Sequence, residues 1–363
     1  MHFLAINSVD YKGGSSRRFH CFAKFLIKEG HSVKCIENNY PLKSNDVINI
    51  SQTDTVFSGI IATLQRMYYA FVQRYDMLFL QKFNPLTIPC IWMSKIRGKK
   101  TIVDADDVDS FLQGSSFRYR IFSFFEDNFT YLPDLILVPN QSLYDYFRNR
   151  KAKNIKLVLQ GIDLNIFHKN ETQREIIRKN LGIEGKIVLT FMSYFSPGGV
   201  GNLEIILEAV KKIMLKRKDC FLLMIGGGPL LEKYKNICVK LGIKEVFFTG
   251  DLNPEVIPLY LSAADMAFIC MKNDSGNQMK ATMKVNEYLA MEIPVVGYLV
   301  GETKRLVGNY CLLCEPDAEF FVSKTLAFLE GKERNLQSAR AFFEKNHSWE
   351  VVEELFKQAL DTI

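Results

Sequence analysis

Residues 283–297 read MKVNEYLAMEIPVVG, the pattern of a short helix that runs almost directly into a buried strand. Apolar side chains recur at helical spacing before Pro294, and the β-branched segment Val295–Gly297 follows it. Lys284 and Glu287 lie three residues apart, so they share one face of the helix. Unpaired N–H groups and the helix dipole favour an anion at this end. The pattern predicts a phosphate beside Lys284 and ribose hydroxyls at Glu287, with a surface ion pair as the alternative.

The same alternation of helix and strand extends outward from this segment. It begins with a strand at His2–Asn7, a helix at 17–29 and a strand at Ser32–Ile36, and it restarts with a strand at Lys186–Met192. Short connections between such elements predict doubly wound parallel sheets of the α/β class. A polar stretch at 169–179 without a strand pattern indicates a linker between the two runs.

We therefore expect two Rossmann-like domains, residues 1–168 and residues 169–347, with a closing helix at 348–363. The chain has 363 residues, and a domain usually takes about 100–200 residues, so the length also favours two domains. Hydrophobic residues make up 48% of the chain and charged residues 24%. This balance is that of a folded globular protein and excludes long disordered segments.

The net charge of +6 lies entirely in the first half of the chain. Residues 1–165 contain 21 Lys and Arg against 15 Asp and Glu, whereas residues 166–363 contain 25 of each. A basic half suggests an anionic partner, such as a membrane surface or a phosphorylated acceptor. A solvated surface with a modest imbalance is the alternative. Nucleic acid is disfavoured, because no basic run is interleaved with aromatic residues in a known module.

The cysteines and histidines indicate no metal or redox site, and the apolar runs indicate no membrane-spanning segment. The eight cysteines are scattered, and the spacing of Cys311 and Cys314 lacks the second pair that a zinc site would need. The histidines show no metal-ligand spacing. No run reaches the roughly 18 apolar residues of a membrane span, and the apolar part of the amino terminus is too short for a signal peptide. These features predict a cytoplasmic protein.

Two glycine-containing loops follow strands in the second half. Gly226, Gly227, Gly228 and Pro229 come after an apolar strand, and Pro229 is expected to open the next helix. The segment 193–202 comes after another strand. Such loops let a ligand approach backbone N–H groups closely, and in open α/β sheets ligands gather at the carboxyl ends of strands. Tight strand–helix turns are the alternative interpretation. The first loop does not match the dinucleotide fingerprint, which disfavours a nicotinamide cofactor.

Two further candidates lie in the first half. Asp104, Asp106, Asp107 and Asp109 follow a strand, and four carboxylates so close together repel one another unless something compensates. A metal site, a site that orients an acceptor hydroxyl, and a solvated helix-capping loop remain open. The loop 13–16, which includes Gly13 and Gly14, could bind an anion or be an ordinary turn.

Taken in order, these pieces resemble family 4 of the retaining GT-B glycosyltransferases (glycosyl transferases group 1). The resemblance covers nearly the whole chain. Each motif is short, but their order and spacing match. The motifs are Gly13-Gly14, Asp104-Ala-Asp106-Asp107, Val138-Pro-Asn140, Gly161-Ile-Asp163, Ile225-Gly-Gly-Gly-Pro229, Phe248-Thr-Gly250, Tyr260-Leu-Ser-Ala-Ala-Asp265 and Lys284-x-x-Glu287-Tyr-Leu-Ala-Met291.

The resemblance implies the GT-B architecture, with two Rossmann-like domains facing across a cleft and the nucleotide held mostly by the second. It implies transfer of a sugar, with retention, from a nucleotide diphospho-sugar to a glycan or lipid-linked acceptor. That donor is a co-substrate, and no cofactor or metal is expected. A glycolipid or surface-polysaccharide precursor as acceptor implies peripheral contact with the inner face of an anionic membrane. Asp106, Asp107, Lys284 and Glu287 become the expected catalytic residues.

The resemblance also identifies donor-binding residues and one departure. Glu287 matches the second glutamate of the family's E-x7-E motif, but Met279 takes the place of the first, and the loop expected at 273–277 is the alternative contact for the donor sugar. The family's usual Arg and Lys fall near Tyr194 and Gly199, neither of which is basic, so other groups must stabilise the leaving diphosphate. The expected donor-binding residues are Gly13, Gly14, Ser193, Tyr194, Gly198, Gly199, Gly227, Gly228, Pro229, Lys272, Asn277, Lys280, Lys284 and Glu287.

The missing basic pair keeps a second hypothesis open, a catalytically silent GT-B subunit that acts as a scaffold or partner of a transferase. A sugar-nucleotide epimerase on the same fold is a third. Hydrolysis or transfer of a sugar nucleotide would distinguish an active enzyme from the scaffold, and interconversion of sugars without an acceptor would identify an epimerase.

Overall fold

The computed structural model describes residues 1–10, 14–40, 45–52, 55–113, 115–332 and 338–363. The chain divides into two units. The first comprises Met1–Gly161 together with Trp349–Ile363, and the second comprises Ile162–Ser348. The boundary therefore falls before Ile162 rather than after residue 168, because Ile162 and Phe167 are buried in the core of the second unit.

In the first unit, apolar strands alternate with helices as the sequence pattern indicates. Its elements are β1 (His2–Asp10), α1 (Gly14–Lys28), β2 (Ser32–Asn38), β3 (Val47–Ile50), α2 (Val56–Val72), β4 (Met77–Gln81), α3 (Ile88–Ile96), β5 (Lys100–Asp104), a 3₁₀ turn (Asp109–Leu112), α4 (Ser116–Phe129), β6 (Leu135–Val138), α5 (Gln141–Arg148) and β7 (Ile155–Leu157). Among the described residues the strands form a seven-stranded parallel sheet in the order β3-β2-β1-β4-β5-β6-β7.

The second unit repeats the plan. Its elements are α6 (Glu171–Leu181), β8 (Ile187–Met192), α7 (Leu203–Lys216), β9 (Cys220–Ile225), α8 (Leu231–Leu241), β10 (Val246–Phe248), a 3₁₀ turn (Pro254–Val256), α9 (Ile257–Ser262), β11 (Met266–Cys270), α10 (Ser275–Met279), α11 (Met283–Ala290), β12 (Val295–Tyr298), α12 (Gly301–Val307), a 3₁₀ turn (Gly308–Tyr310), β13 (Leu312–Leu313), α13 (Ala318–Leu329) and α14 (Arg340–Asn346). The sheet order among the described residues is β10-β9-β8-β11-β12-β13, again parallel.

The final helix, α15 (Trp349–Leu360), belongs to the first unit. Phe356 is fully buried and its ring centroid lies 4.4 Å from that of Phe22 in α1. On the surface, the Lys28 ammonium contacts the Glu353 carboxylate at 3.0 Å. The apolar contact, rather than this exposed ion pair, is what holds the helix in place.

Three local expectations were wrong. The polar stretch expected to be a linker forms α6, whose amphipathic character is hidden by its many charged residues. The helix expected from residue 17 begins at Gly14. Pro229 does not open a helix, because α8 begins only at Leu231.

Both sheets reverse their strand order in the same way. In each, the first strand of the unit lies beside the fourth, and the chain turns outward in opposite directions from that pair. Loops that leave such a pair diverge and open a crevice at the carboxyl ends of the strands, which is where open α/β sheets bind ligands. The candidate sites are therefore the ends of β1 and β4 and the ends of β8 and β11.

Candidate functional site

A cavity of about 210 Å³ lies at the switch point of the second sheet. Phe191 at the end of β8 and Cys270 at the end of β11 form its floor. Its walls come from the loop 197–201 and from the segment that leads into α11. The cavity brings together six residues expected to bind the donor, which are Gly198, Gly199, Lys272, Asn277, Lys280 and Lys284.

Lys284 lies in the first turn of α11 and points back to the loop after β8. Its ammonium donates to the Ser193 hydroxyl at 3.0 Å and to the Gly199 carbonyl at 2.8 Å. It also lies 5.4 Å from the centroid of the Phe191 ring. Within the part of the chain that the structure describes, no carboxylate reaches the Lys284 ammonium within ion-pair distance. Its partners are therefore neutral acceptors.

The environment of Lys284 disfavours its charge. Burial, together with the positive charge of Lys280, lowers the pKa of the Lys284 ammonium to about 7, although the Glu287 carboxylate opposes the shift. A lysine with this pKa is only partly protonated at neutral pH. An anion placed in the cavity would favour the protonated form, because an opposite charge raises the pKa of an ammonium. Binding of an anion would therefore leave Lys284 protonated and in contact with that anion.

Glu287 lies one turn after Lys284 on the same helix and is 2% exposed. The cavity lining does not include its side chain. The structure places this carboxylate beside the site rather than in its wall. The surface ion pair between Lys284 and Glu287, the alternative considered above, is not what the structure shows, because Lys284 instead contacts Ser193 and Gly199.

The two glycine-rich loops of the second unit pack against each other. Phe195 donates its N–H to the Gly227 carbonyl at 2.8 Å and accepts from the Leu230 N–H at 2.8 Å. Gly228 has φ +131, and a Cβ there would lie 2.8 Å from the Phe195 carbonyl oxygen. Only glycine fits such a backbone without strain. Gly227, Gly228 and Pro229 do not line this cavity, so their binding of the donor stays a prediction.

The first loop is constrained as well. A Cβ on Gly199 would lie 2.2 Å from the Tyr194 carbonyl oxygen, so a side chain is excluded. The Gly199 N–H donates to the Ser196 carbonyl at 3.0 Å, which fixes the turn of this loop. Tyr194 itself is exposed and lies outside the cavity lining.

The segment expected as a loop at 273–277 is partly helical. Asp274 caps α10 and accepts from the Asn277 N–H at 2.8 Å, while the Asn277 side-chain amide also donates to the Asp274 carboxylate. Gly13 lies outside the described residues, and Gly14 is the first residue of α1.

The switch point of the first sheet holds the acidic cluster, and a buried lysine lies among three of its carboxylates. Lys82, which follows β4, is buried and contacts Asp106 and Asp107 at 2.8 Å each and Asp109 at 3.4 Å. Burial opposes the charge of Lys82, yet these carboxylates raise its pKa well above the usual value. Lys82 was not among the residues predicted from the sequence.

Two more features explain how the first switch point is organised. Asp104 forms a fully buried ion pair with Arg18 at 2.9 Å, and the Arg18 guanidinium also donates to the carbonyls of Val158 and Leu159. Lys82 has φ +76, a left-handed backbone that a lysine rarely adopts. Among the described residues, no trio of His, Cys, Asp or Glu side chains is placed to ligate a metal ion.

The cysteine thiols are not activated for chemistry. All eight cysteines are free, and burial raises the pKa of the Cys311 and Cys314 thiols to about 12. Thiols that stay protonated are poor nucleophiles and poor metal ligands.

In the part of the chain that is described, no helix combines the length and apolar character needed to cross a bilayer.

Comparison with known proteins found a family that matches the second unit and relatives that match part of the chain. Residues 173–347 match the family described as Glycosyl transferases group 1. The chain is 27% identical, over 139 residues and 38% of its length, to the GDP-mannose-dependent alpha-(1-6)-phosphatidylinositol monomannoside mannosyltransferase of Mycolicibacterium smegmatis. It is 23% identical, over 61% of its length, to TuaH of Bacillus subtilis, whose name assigns it to teichuronic acid biosynthesis as a glycosyltransferase. The alignments span 36% and 51% of these relatives.

Solved structures match the whole chain. The crystal structure of Anabaena Alr3699/HepE in complex with UDP and glucose has a TM-score of 0.78 at 14% identity, and the match covers 100% of both chains. WaaG, a glycosyltransferase involved in lipopolysaccharide biosynthesis, has a TM-score of 0.73 at 17% identity, covering 99% of this chain and 98% of WaaG. The two Rossmann-like units are therefore those of the GT-B fold.

Proposed function

We propose that the chain is a retaining glycosyltransferase of GT-B family 4, which moves a sugar from a nucleotide diphospho-sugar to an acceptor. The observation that carries this proposal is the cavity at the second switch point, where Lys272, Lys280 and Lys284 converge. A cavity lined by three lysines suits a diphosphate, because each phosphate carries a negative charge at neutral pH. The family match over residues 173–347 supports the same reading.

In this proposal the donor's diphosphate rests at the amino end of α11, against Lys284. The first N–H groups of a helix lack partners within the helix and favour an anion. Glu287, one turn further on, accepts from the ribose hydroxyls. The GDP-mannose in the name of the mycobacterial relative and the UDP in the HepE crystal both suit such a site, so the base of the donor stays open.

Catalysis in this proposal rests on stabilisation of the leaving diphosphate. Negative charge grows on the diphosphate as the bond to the sugar breaks, and preorganised positive groups lower the energy of that transition state. We assign this role to Lys284, with Lys280 and Lys272, in place of the basic pair absent near Tyr194 and Gly199. The donor phosphate itself accepts the acceptor's proton, and we propose no further cofactor.

We place the acceptor with the first unit, near Asp106 and Asp107. The names of the relatives mention phosphatidylinositol monomannoside, teichuronic acid and lipopolysaccharide, and the excess of basic residues in the first half suits an acceptor held at an anionic membrane. Because both carboxylates already contact the Lys82 ammonium, we expect them to orient acceptor hydroxyls rather than to act as strong bases.

A thermal-shift panel of UDP, GDP and their sugar derivatives tests the proposal. At least one nucleotide sugar should raise the melting temperature, because a ligand that binds only the native state stabilises it. Release of nucleoside diphosphate from that sugar should then be measured with the wild-type chain. If no nucleotide shifts the melting temperature, the donor site is elsewhere or absent. If binding occurs but neither hydrolysis nor transfer follows, the enzyme assignment is wrong.

A further inference from the structure

Helix α2 exposes its large apolar side chains and buries its small ones. Its buried positions are Gly59, Ala62, Arg66 and Ala70. On the opposite side, positions that recur every three or four residues form one stripe along a helix about 25 Å long. These side chains, which are 40% to 72% exposed, are Phe57, Ile60, Ile61, Leu64, Tyr68 and Phe71.

The surface continues onto the neighbouring helices. Helix α3 packs against α2, and its Trp92 contacts Phe129 of α4 with ring centroids 5.4 Å apart. Beyond this contact, α4 exposes Phe117 and Phe124, at 72% and 56%. Isolated exposed apolar residues are ordinary, but a patch that spans three helices marks a place where something else binds. We call this the α2–α4 surface.

The charge of the α2–α4 surface is mainly positive, because the exposed Asp127 near the end of α4 is paired with Arg150 at 2.8 Å. No Asp or Glu occurs in residues 55–75 or in residues 115–125. The charged side chains that accompany the apolar stripe are basic and include Arg74, Arg118 and Arg120, all of them exposed. Apolar and aromatic side chains combined with an excess of Arg match the interface of an anionic bilayer, where acyl chains lie next to negative headgroups.

We propose that the α2–α4 surface seats the protein on an anionic lipid bilayer, with the stripe of α2 inserted at the level of the headgroups. The proposal rests on the proposed function, because it explains how the protein would reach an acceptor held at a membrane. The physical argument depends only on the first unit. A second copy of the chain fits less well, because a two-fold contact would set each copy's arginines against the same basic surface.

Vesicle co-sedimentation tests the α2–α4 surface. The wild-type chain should bind phosphatidylcholine vesicles that contain phosphatidylglycerol, and bind pure phosphatidylcholine vesicles less well. The variant Phe57→Ser, Leu64→Ser, Phe71→Ser should bind the anionic vesicles about tenfold more weakly or worse, because it removes apolar side chains from the bilayer interface. Replacing Arg118 and Arg120 by Gln should reduce the preference for anionic lipid.

A matched control is available in the second unit. Leu215, Val239 and Phe320 are 57%, 76% and 50% exposed, so their triple replacement by Ser removes similar apolar surface elsewhere. This control should bind vesicles as the wild type does. Equal loss in both variants, or no binding by the wild type, would overturn the proposal. So would a wild-type dimer in sedimentation velocity that the α2 variant makes monomeric. Nucleotide binding should persist in both variants, which separates this result from failure of the transferase proposal.

Discussion

The two sheets share one strand order, but the lysine at each switch point has partners of a different kind. At the first, Lys82 is buried among Asp106, Asp107 and Asp109, so its charge is neutralised inside the protein. At the second, Lys284 is held by a hydroxyl and a carbonyl beside an open cavity.

The difference teaches which crevice is built for an anion. A cation already surrounded by carboxylates gains little from a further negative charge, whereas one held by neutral groups gains much. The pKa values follow this rule, since the pKa of Lys82 is raised well above its usual value and that of Lys284 is lowered to about 7. Each of the next predictions tests this contrast.

The largest expected effect is on stability. Lys82→Met should destabilise the protein by about 3–5 kcal/mol, because it leaves buried carboxylates without a counter-charge. Lys284→Met should change the free energy of unfolding little, since it removes a cation that burial disfavours. Urea unfolding of both variants measures the two values. Equal destabilisation by the two substitutions would contradict the proposed difference between the two switch points.

The next effect is on donor affinity. Lys284→Met should weaken binding of the nucleotide found in the donor screen by roughly 10- to 100-fold, the value of a hydrogen bond to a charged group. Calorimetry measures it, with Lys240→Met as control, an exposed lysine in the last turn of α8. An unchanged affinity in Lys284→Met would remove the lysine from the donor site.

Donor affinity should also depend on pH. Below pH 7 Lys284 is protonated before binding, so affinity should be highest there. Above its pKa of about 7, binding must take up a proton, and affinity should fall by up to about tenfold per pH unit until the raised pKa of the complex is reached. Calorimetry in buffers of different ionisation enthalpy counts the proton. An affinity that rises with pH would contradict the assignment.

The smallest effect is expected at the rim of the cavity. Lys272 is exposed, and a solvent-exposed charge pair contributes about 0.2–1 kcal/mol. Lys272→Met should therefore reduce donor affinity less than Lys284→Met does, and added salt should reduce the difference between Lys272→Met and wild type. A loss equal to that of Lys284→Met would mean that the diphosphate lies nearer the rim.

The sequence predicted the fold well because local patterns determine it. Buried strands such as Met77–Gln81 and Cys220–Ile225 are continuous apolar runs, and their alternation with helices is visible without any long-range information. The short strand Val47–Ile50 was missed, since four residues carry little pattern. Helix α6 was missed because charged residues conceal its apolar face.

The site was predicted only in part, because it depends on contacts between distant segments. Lys284 at the start of a helix was readable from its spacing to Glu287, but its contact with Ser193, 91 residues away, was not. Lys82 looked like an ordinary residue after a strand, and only the pairing of β4 with β5 brings it to the carboxylates. The unusual concentration of Asp104–Asp109 was the one available signal that a buried cation was needed.

A structure with UDP or GDP bound tests the central claim most directly. We predict diphosphate oxygens within hydrogen-bond distance of the Lys284 ammonium at the amino end of α11, with the first switch point unchanged and Lys82 still paired. A diphosphate bound away from Lys284, or one that displaces a carboxylate from Lys82, would contradict it.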